Sequence, residues 1–232
     1  MARPKGITFW KRSPRSRAQI VRRVCEALEA EYGRPRLGNP RRPLDDLFYI
    51  IISNRTAPSV ATTTFRALKR RYPRWGLLAS ARQREVAKVL RPAGLSAKKA
   101  AQMRGIAKRL IADFGGCTLA PLARTSDEQA LGYLRSLPGV STKVGQCVMM
   151  YTLGRQVLPV DVHVHRVAGR IGWVNRKRAD QCHDIMARIV PPRRRCSFHV
   201  DCIVHGRKVC TPRSPKCTAC PIRKHCEFAG GC

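Results

Sequence analysis

An all-α fold is predicted by three features of this 232-residue sequence. Apolar residues recur at helical spacing in segment after segment, Pro and Gly breaks separate the segments, and no sustained apolar/polar alternation appears. Residues 1–16, "MARPKGITFWKRSPRS", precede the first such segment. They are basic and aperiodic and read as a disordered arm, although an Arg-rich, acid-free start also fits a transit peptide. From Arg17 onward, Ile20, Val21, Val24 and Leu28 share one helical face, and that helix is expected to end near Gly33. "GRPRLGNPRRP" (33–43) is a linker by its Pro and Gly content. The apolar run "LDDLFYIIIS" that follows predicts a buried helix, with a strand as the alternative because several residues are β-branched. Further helices are expected at about 57–71, 82–91, 97–114, 126–136, 141–153 and 162–172. Thr125-Ser-Asp-Glu128 has the form of a capping box, with Thr125 as N-cap and Glu128 reaching back.

Composition narrows the function. Lys and Arg number 46 against 14 acidic residues, a net charge of +32. Such an excess repels itself unless a polyanion supplies counter-charge, and nucleic acid is the usual one, because neutralising phosphates releases condensed counterions. Hydrophobic residues make up 44% of the chain, enough for a core, yet no apolar run approaches the ~20 residues a membrane span needs. No secretory signal pattern is present. The expected setting is therefore a reducing compartment: the bacterial or archaeal cytoplasm, or a eukaryotic nucleus or mitochondrion.

Eleven cysteines are present, and six of them (Cys202, Cys210, Cys217, Cys220, Cys226 and Cys232) fall in the last 31 residues. Within "CTPRSPKCTACPIRKHC", Cys210, Cys217, Cys220 and Cys226 are separated by six, two and five residues. Four thiolates so close in sequence can converge on one metal centre and close a loop too poor in apolar residues to fold otherwise. The spacing admits both structural zinc and an iron–sulfur cluster. Arg213, Lys216, Arg223 and Lys224 sit among these cysteines and are candidate phosphate contacts.

The second motif is "LPGVSTKVG" (137–145). A helix up to Ser136, a turn at Leu137-Pro-Gly-Val140 and a second helix from Ser141 make a helix–hairpin–helix. Gly139 allows close approach at the turn, and free N–H groups at the start of the second helix can receive a phosphate. Leu137, Gly139, Val140 and Ser141 are thus candidate DNA-binding positions. Lys143 lies in the second helix and Asp161, in "PVDVHVHRV", lies eighteen residues beyond it. Either residue alone has an ordinary role, a surface cation or a helix N-cap. Together, in a DNA-binding chain, they offer an amine nucleophile with a carboxylate partner.

With these residues in view, the sequence resembles the helix–hairpin–helix DNA glycosylases, most closely endonuclease III. The likeness runs through "GLSAKKA", "LPGVSTKVGQCVMMYTLG", "VDVHVHRV" and "FHVDCIVHGRKVC" into the cysteine tail, over roughly residues 17–228. It implies two helical domains with a DNA groove between them. One is a six-helix barrel at 44–155 carrying the hairpin (126–153), and the other is an iron–sulfur domain from 17–43 and 156–232. It implies a [4Fe–4S] cluster on Cys210, Cys217, Cys220 and Cys226, and a monomer acting on double-stranded DNA with a damaged or mismatched base or an abasic site. Lys143 would attack the sugar C1′, expel the flipped base and form a Schiff base, with Asp161 as the assisting carboxylate. Leu95 would wedge into the duplex, and Arg55 stands where endonuclease III has a space-filling glutamine. Arg55-Thr56 departs towards the thymine- and uracil-mismatch branch, while Ser141 in "GVSTKV" leans towards the 8-oxoguanine and plant 5-methylcytosine glycosylases. The implied activity is a bifunctional glycosylase and AP lyase that nicks the strand by β-elimination, with an oxidised pyrimidine as the expected substrate. The alternative is a mismatch-specific uracil/thymine glycosylase or an AP lyase with narrow base excision. The alternative of another class is a non-catalytic damage-binding protein, which would need neither Lys143 nor Asp161.

Overall fold

The computed structural model describes residues 11–33, 35, 37–175 and 178–231. Eleven α-helices are present among them, joined by turns and short 3-10 segments, with no strand. None of these helices is long and apolar enough to cross a membrane. The chain divides into two compact units, residues 38–155 and the remainder drawn from both termini. Residues 38–43, expected with the N-terminal helix, fall in the middle unit.

The middle unit holds seven helices: α2 (Pro43–Ser53), α3 (Pro58–Arg71), α4 (Leu77–Ser80), α5 (Gln83–Leu90), α6 (Ser96–Phe114), α7 (Asp127–Ser136) and α8 (Thr142–Thr152). The segment "LDDLFYIIIS" is a helix, not a strand, and α2 is buried on nearly every side. It packs on α3 and α8, while α6 packs on α4 and α5. Trp75 seals one end: its ring meets Phe48 edge-on at 4.8 Å, and its indole N–H donates to Asp45 Oδ1. The capping box before α7 is shifted by one residue from expectation. Ser126 is the N-cap and exchanges hydrogen bonds with Gln129, because the Thr125 hydroxyl is already committed to Leu122 O at 3.0 Å.

The terminal unit holds α1 (Pro14–Tyr32), α9 (Val162–Ile171), α10 (His183–Ile189) and α11 (Arg195–Lys208). Helix α1 begins three residues earlier than its apolar pattern predicts, so residues 14–16 belong to a helix; residues 1–10 of the expected arm lie outside the described residues. Ser13 caps it by accepting from Ser16 N, and Pro14 supplies a preset first-turn φ. Val21, Val24 and Leu28 of α1, Val164 and Val167 of α9, and Phe198 and Cys202 of α11 share one apolar core. Trp173 stacks on Phe198 at 5.6 Å. Cys210 and Ile222 join this core, so the cysteine segment is anchored to it from both sides.

Candidate active site and nucleic-acid interface

The hairpin is closed by two turn hydrogen bonds, Leu137 N to Leu134 O and Val140 N to Leu137 O. Leu137 and Val140 point inward and are buried, which leaves backbone, not their side chains, available at this turn. Gly139 sits at φ 67°, where a side chain is strained, and an added Cβ would lie 2.8 Å from the Gln102 amide of α6. Ser141 is exposed and caps α8 by accepting from Val144 N at 3.4 Å. Ser141 thus has a local structural use in the hairpin. Lys143 follows two residues later, half-buried in the first turn of α8. The amides of that first turn precede the helical hydrogen-bond ladder, the arrangement that binds anions.

A carboxylate that sequence reasoning missed lies in the same unit. Asp46, in α2, is fully buried. Its Oδ1 accepts from Asn39 Nδ2 at 2.6 Å, while Oδ2 has no hydrogen-bond partner among the described residues. Burial pushes its carboxyl up to about 7, opposed by the Asn39 hydrogen bond and the charge of Lys143. A second aspartate inside the apolar run "LDDLFYIII" was the available signal.

Asp161, in the terminal unit, is half-buried and caps α9. Its Oδ1 takes both amides, His163 N at 2.9 Å and Val164 N at 2.8 Å, so the cap does not itself occupy Oδ2. Capping and chemistry are therefore compatible in one side chain. His163 faces the adjoining helix: its Nδ1 lies 3.1 Å from Arg166, and a Cβ at Gly206 of α11 would collide with it. Gly206 lets α9 and α11 approach that closely.

The cysteine segment has little regular structure beyond short 3-10 turns, so other groups must shape it. Arg170 of α9 does most of this, another feature sequence reasoning missed. Its guanidinium donates to Cys210 Sγ at 3.1 Å, to Thr211 O at 2.8 Å and to Pro212 O at 2.9 Å, and it covers the Phe228 ring at 4.5 Å. His205 of α11 places Nε2 3.6 Å from Cys220 Sγ and holds the Tyr32 hydroxyl at 2.8 Å through Nδ1. Burial raises the Cys220 and Cys226 thiols, and in each the charge of Cys210 adds to the rise. A metal ion bound by these cysteines would replace the proton and neutralise the thiolate charge. Arg213 and Lys216 are exposed on this segment.

Comparison with known proteins identifies the architecture. The model of the HhH-GPD superfamily of base excision DNA repair proteins matches residues 48–192, more than half of the chain. The chain belongs to the HhH-GPD superfamily. Residues 210–226 of this HhH-GPD protein match the iron–sulfur binding domain of endonuclease III, with Cys210 and Cys226 as its first and last residues, and this segment is an iron–sulfur site. Endonuclease III of Thermotoga maritima is 27% identical over 194 residues, covering 84% of this chain and 87% of that one. The DNA glycosylase/AP lyase ROS1 of Arabidopsis thaliana is 29% identical over 171 residues, 66% of this chain but 12% of that much longer protein. Among solved structures, a trapped endonuclease III–DNA covalent intermediate superposes with TM-score 0.81 at 21% identity, over 92% of this chain and 97% of that one. A thermostable thymine-DNA glycosylase gives 0.79 at 21% identity, over 92% and 98%. The HhH-GPD protein thus has the endonuclease III fold.

Proposed function

We propose that this protein is a bifunctional base-excision-repair DNA glycosylase and AP lyase. The observation that carries the reading is Lys143 itself, half-buried in the first turn of the hairpin's second helix within a superfamily of DNA repair proteins. In duplex DNA the altered base leaves the stack before chemistry can reach its glycosidic bond. The neutral Lys143 amine attacks C1′ as the bond from C1′ to the base breaks, and the base departs with the electron pair and takes up a proton. The sugar ring opens to a Schiff base on Lys143. Loss of a C2′ proton then breaks the C3′–oxygen bond and nicks the strand.

Asp161 supplies the negative charge that stabilises the cationic sugar and assists proton transfer, with Oδ1 fixed by the two cap amides. The turn at Leu137–Ser141 contributes backbone amides to the DNA phosphates, and the exposed Arg213 and Lys216 contribute cations. Leu95 and Arg55 act at the duplex itself, where the flipped base leaves a gap. Cys210, Cys217, Cys220 and Cys226 would hold a [4Fe–4S] cluster, which would close the 210–226 segment.

The test is borohydride trapping on an abasic-site duplex. Wild type forms a covalent protein–DNA adduct, and Lys143→Gln forms none while still binding the duplex. A wild type that neither traps nor nicks overturns the lyase reading. We take an oxidised pyrimidine as the substrate, with a thymine or uracil opposite guanine as a second reading favoured by Arg55-Thr56. Duplexes bearing thymine glycol, dihydrouracil, uracil:G, T:G or 8-oxoguanine:C, scored separately for excision and nicking, decide between them.

A further inference from the structure

Arg55 and Leu95 are the two non-glycine residues with positive φ among the described residues, at 57° and 49°. Residues other than glycine avoid this region, and neither side chain has the short polar group that eases it in asparagine. Both are exposed, and Leu95 leaves 56% of its surface to solvent although it is large and apolar. Backbone strain persists only where surrounding structure enforces it, and it collects at working sites.

The enforcing group is Lys99, the fourth residue of α6. Its side chain is buried, and its Nζ sits among four neutral oxygens. Within hydrogen-bond reach of its three N–H groups are Ile52 O at 2.7 Å, Ala93 O at 2.8 Å, Thr56 Oγ1 at 3.0 Å and Asn54 O at 3.1 Å. The Thr56 hydroxyl donates in turn to Ala93 O at 2.7 Å. Ile52 and Asn54 lie at the carboxyl end of α2, where the helix dipole presents negative charge to the ammonium. One cation thus ties two carbonyls before Arg55 and the Thr56 hydroxyl after it to the turn that leads into Leu95.

We propose that Lys99 is a positioning residue that clamps the 52–56 loop to the 93–95 turn and presents Arg55 and Leu95 to duplex DNA as a preset pair. This rests on the reading above that both residues engage the duplex at the flipped base. A lysine that merely filled the core would affect every substrate alike. A clamp acts only where the duplex must be opened, and displacing such groups by about 1 Å is enough for a loss on the order of 100-fold.

The experiment compares an abasic site in duplex DNA with the same site in a single strand, which needs no opening. Rates of nicking and borohydride trapping are measured on each, with the fluorescence of a 2-aminopurine beside the site as a direct reading of unstacking. Lys99→Met is expected to lose roughly tenfold or more on the duplex, to lose the fluorescence rise, and to keep its single-strand rate. Lys99→Arg, which keeps the charge, recovers part of the duplex rate. Leu95→Ala gives the same split, and Lys99→Met added to it lowers the duplex rate little further. Equal losses on both substrates, or no loss, overturn the clamp. If Leu95→Ala and Arg55→Ala both leave duplex nicking intact, the reading of those two residues fails separately, and a duplex-specific loss in Lys99→Met then belongs to other contacts and overturns the clamp as stated. Should Lys99→Met not fold, Thr56→Val removes one oxygen of the cage and is held to the same split.

Discussion

The Arg170 guanidinium donates to Cys210 Sγ at 3.1 Å while the same side chain holds the carbonyls of Thr211 and Pro212. Charge-assisted bonds of this kind are the stronger class, and removing the donor leaves its acceptors without a partner. Arg170→Met is expected to lower iron content on purification and to speed loss of the visible absorbance in chelator. Arg170→Lys, which cannot make the same fork, restores little.

Asp46 gives the molecule a pH-dependent stability with a definite sign. Its carboxyl is raised from 3.8 to about 7 by burial, so the folded state holds a proton that the unfolded chain releases. The stability this contributes is fully present below pH ~4 and is lost as pH rises through about 7, on the order of 4 kcal/mol in all. Asp46→Asn keeps the uncharged shape. Its melting temperature should match wild type near pH 4 and exceed it by several degrees at pH 8.

Asp161 can be divided into its two roles by choice of substitution. Serine is as good an N-cap as aspartate, whereas alanine loses about 1 kcal/mol of capping. Asp161→Ser should therefore melt close to wild type, and Asp161→Ala should melt lower. Both should lose base excision by a similar large factor, on the order of 100-fold or more, if the carboxylate stabilises the cationic sugar. Excision retained in Asp161→Ser returns the residue to capping alone.

Gly139 tests the hairpin backbone. The contact with the Gln102 amide can be relieved by rotating that flexible side chain, but φ 67° cannot be relieved. Gly139→Ala should destabilise by roughly 1–2 kcal/mol, read in thermal melts, and weaken duplex binding as the turn shifts. Gly139→Asn, which tolerates this region, should fall in between.

Most helix positions and the motif spacings were legible in the sequence because both are local, whereas α4, α10 and α11 were not among the expected helices. Apolar period, Pro and Gly breaks and cysteine spacing act over a few residues. Where two local signals competed, the margin was one or three residues, as at Ser126 against Thr125 and at Pro14 against Arg17. Helix α11 gave no amphipathic signal because Phe198–Ile203, His205 and Gly206 are buried on all faces.

By itself, the sequence determined an all-α chain with a hairpin lysine, a downstream aspartate, a four-cysteine tail and a net charge of +32. Tertiary structure alone decided which polar groups work from the interior. Lys99 meets carbonyls up to 47 residues away, Arg170 reaches across 40 and 42 to Cys210 and Pro212, and Asp46 loses its solvent to surrounding helices. It also turned Leu137 and Val140 inward, leaving backbone and not their side chains exposed at the hairpin turn. The physical reason is common to all four. Burial and hydrogen-bond satisfaction depend on which distant segments meet, and no local pattern of residues encodes that meeting.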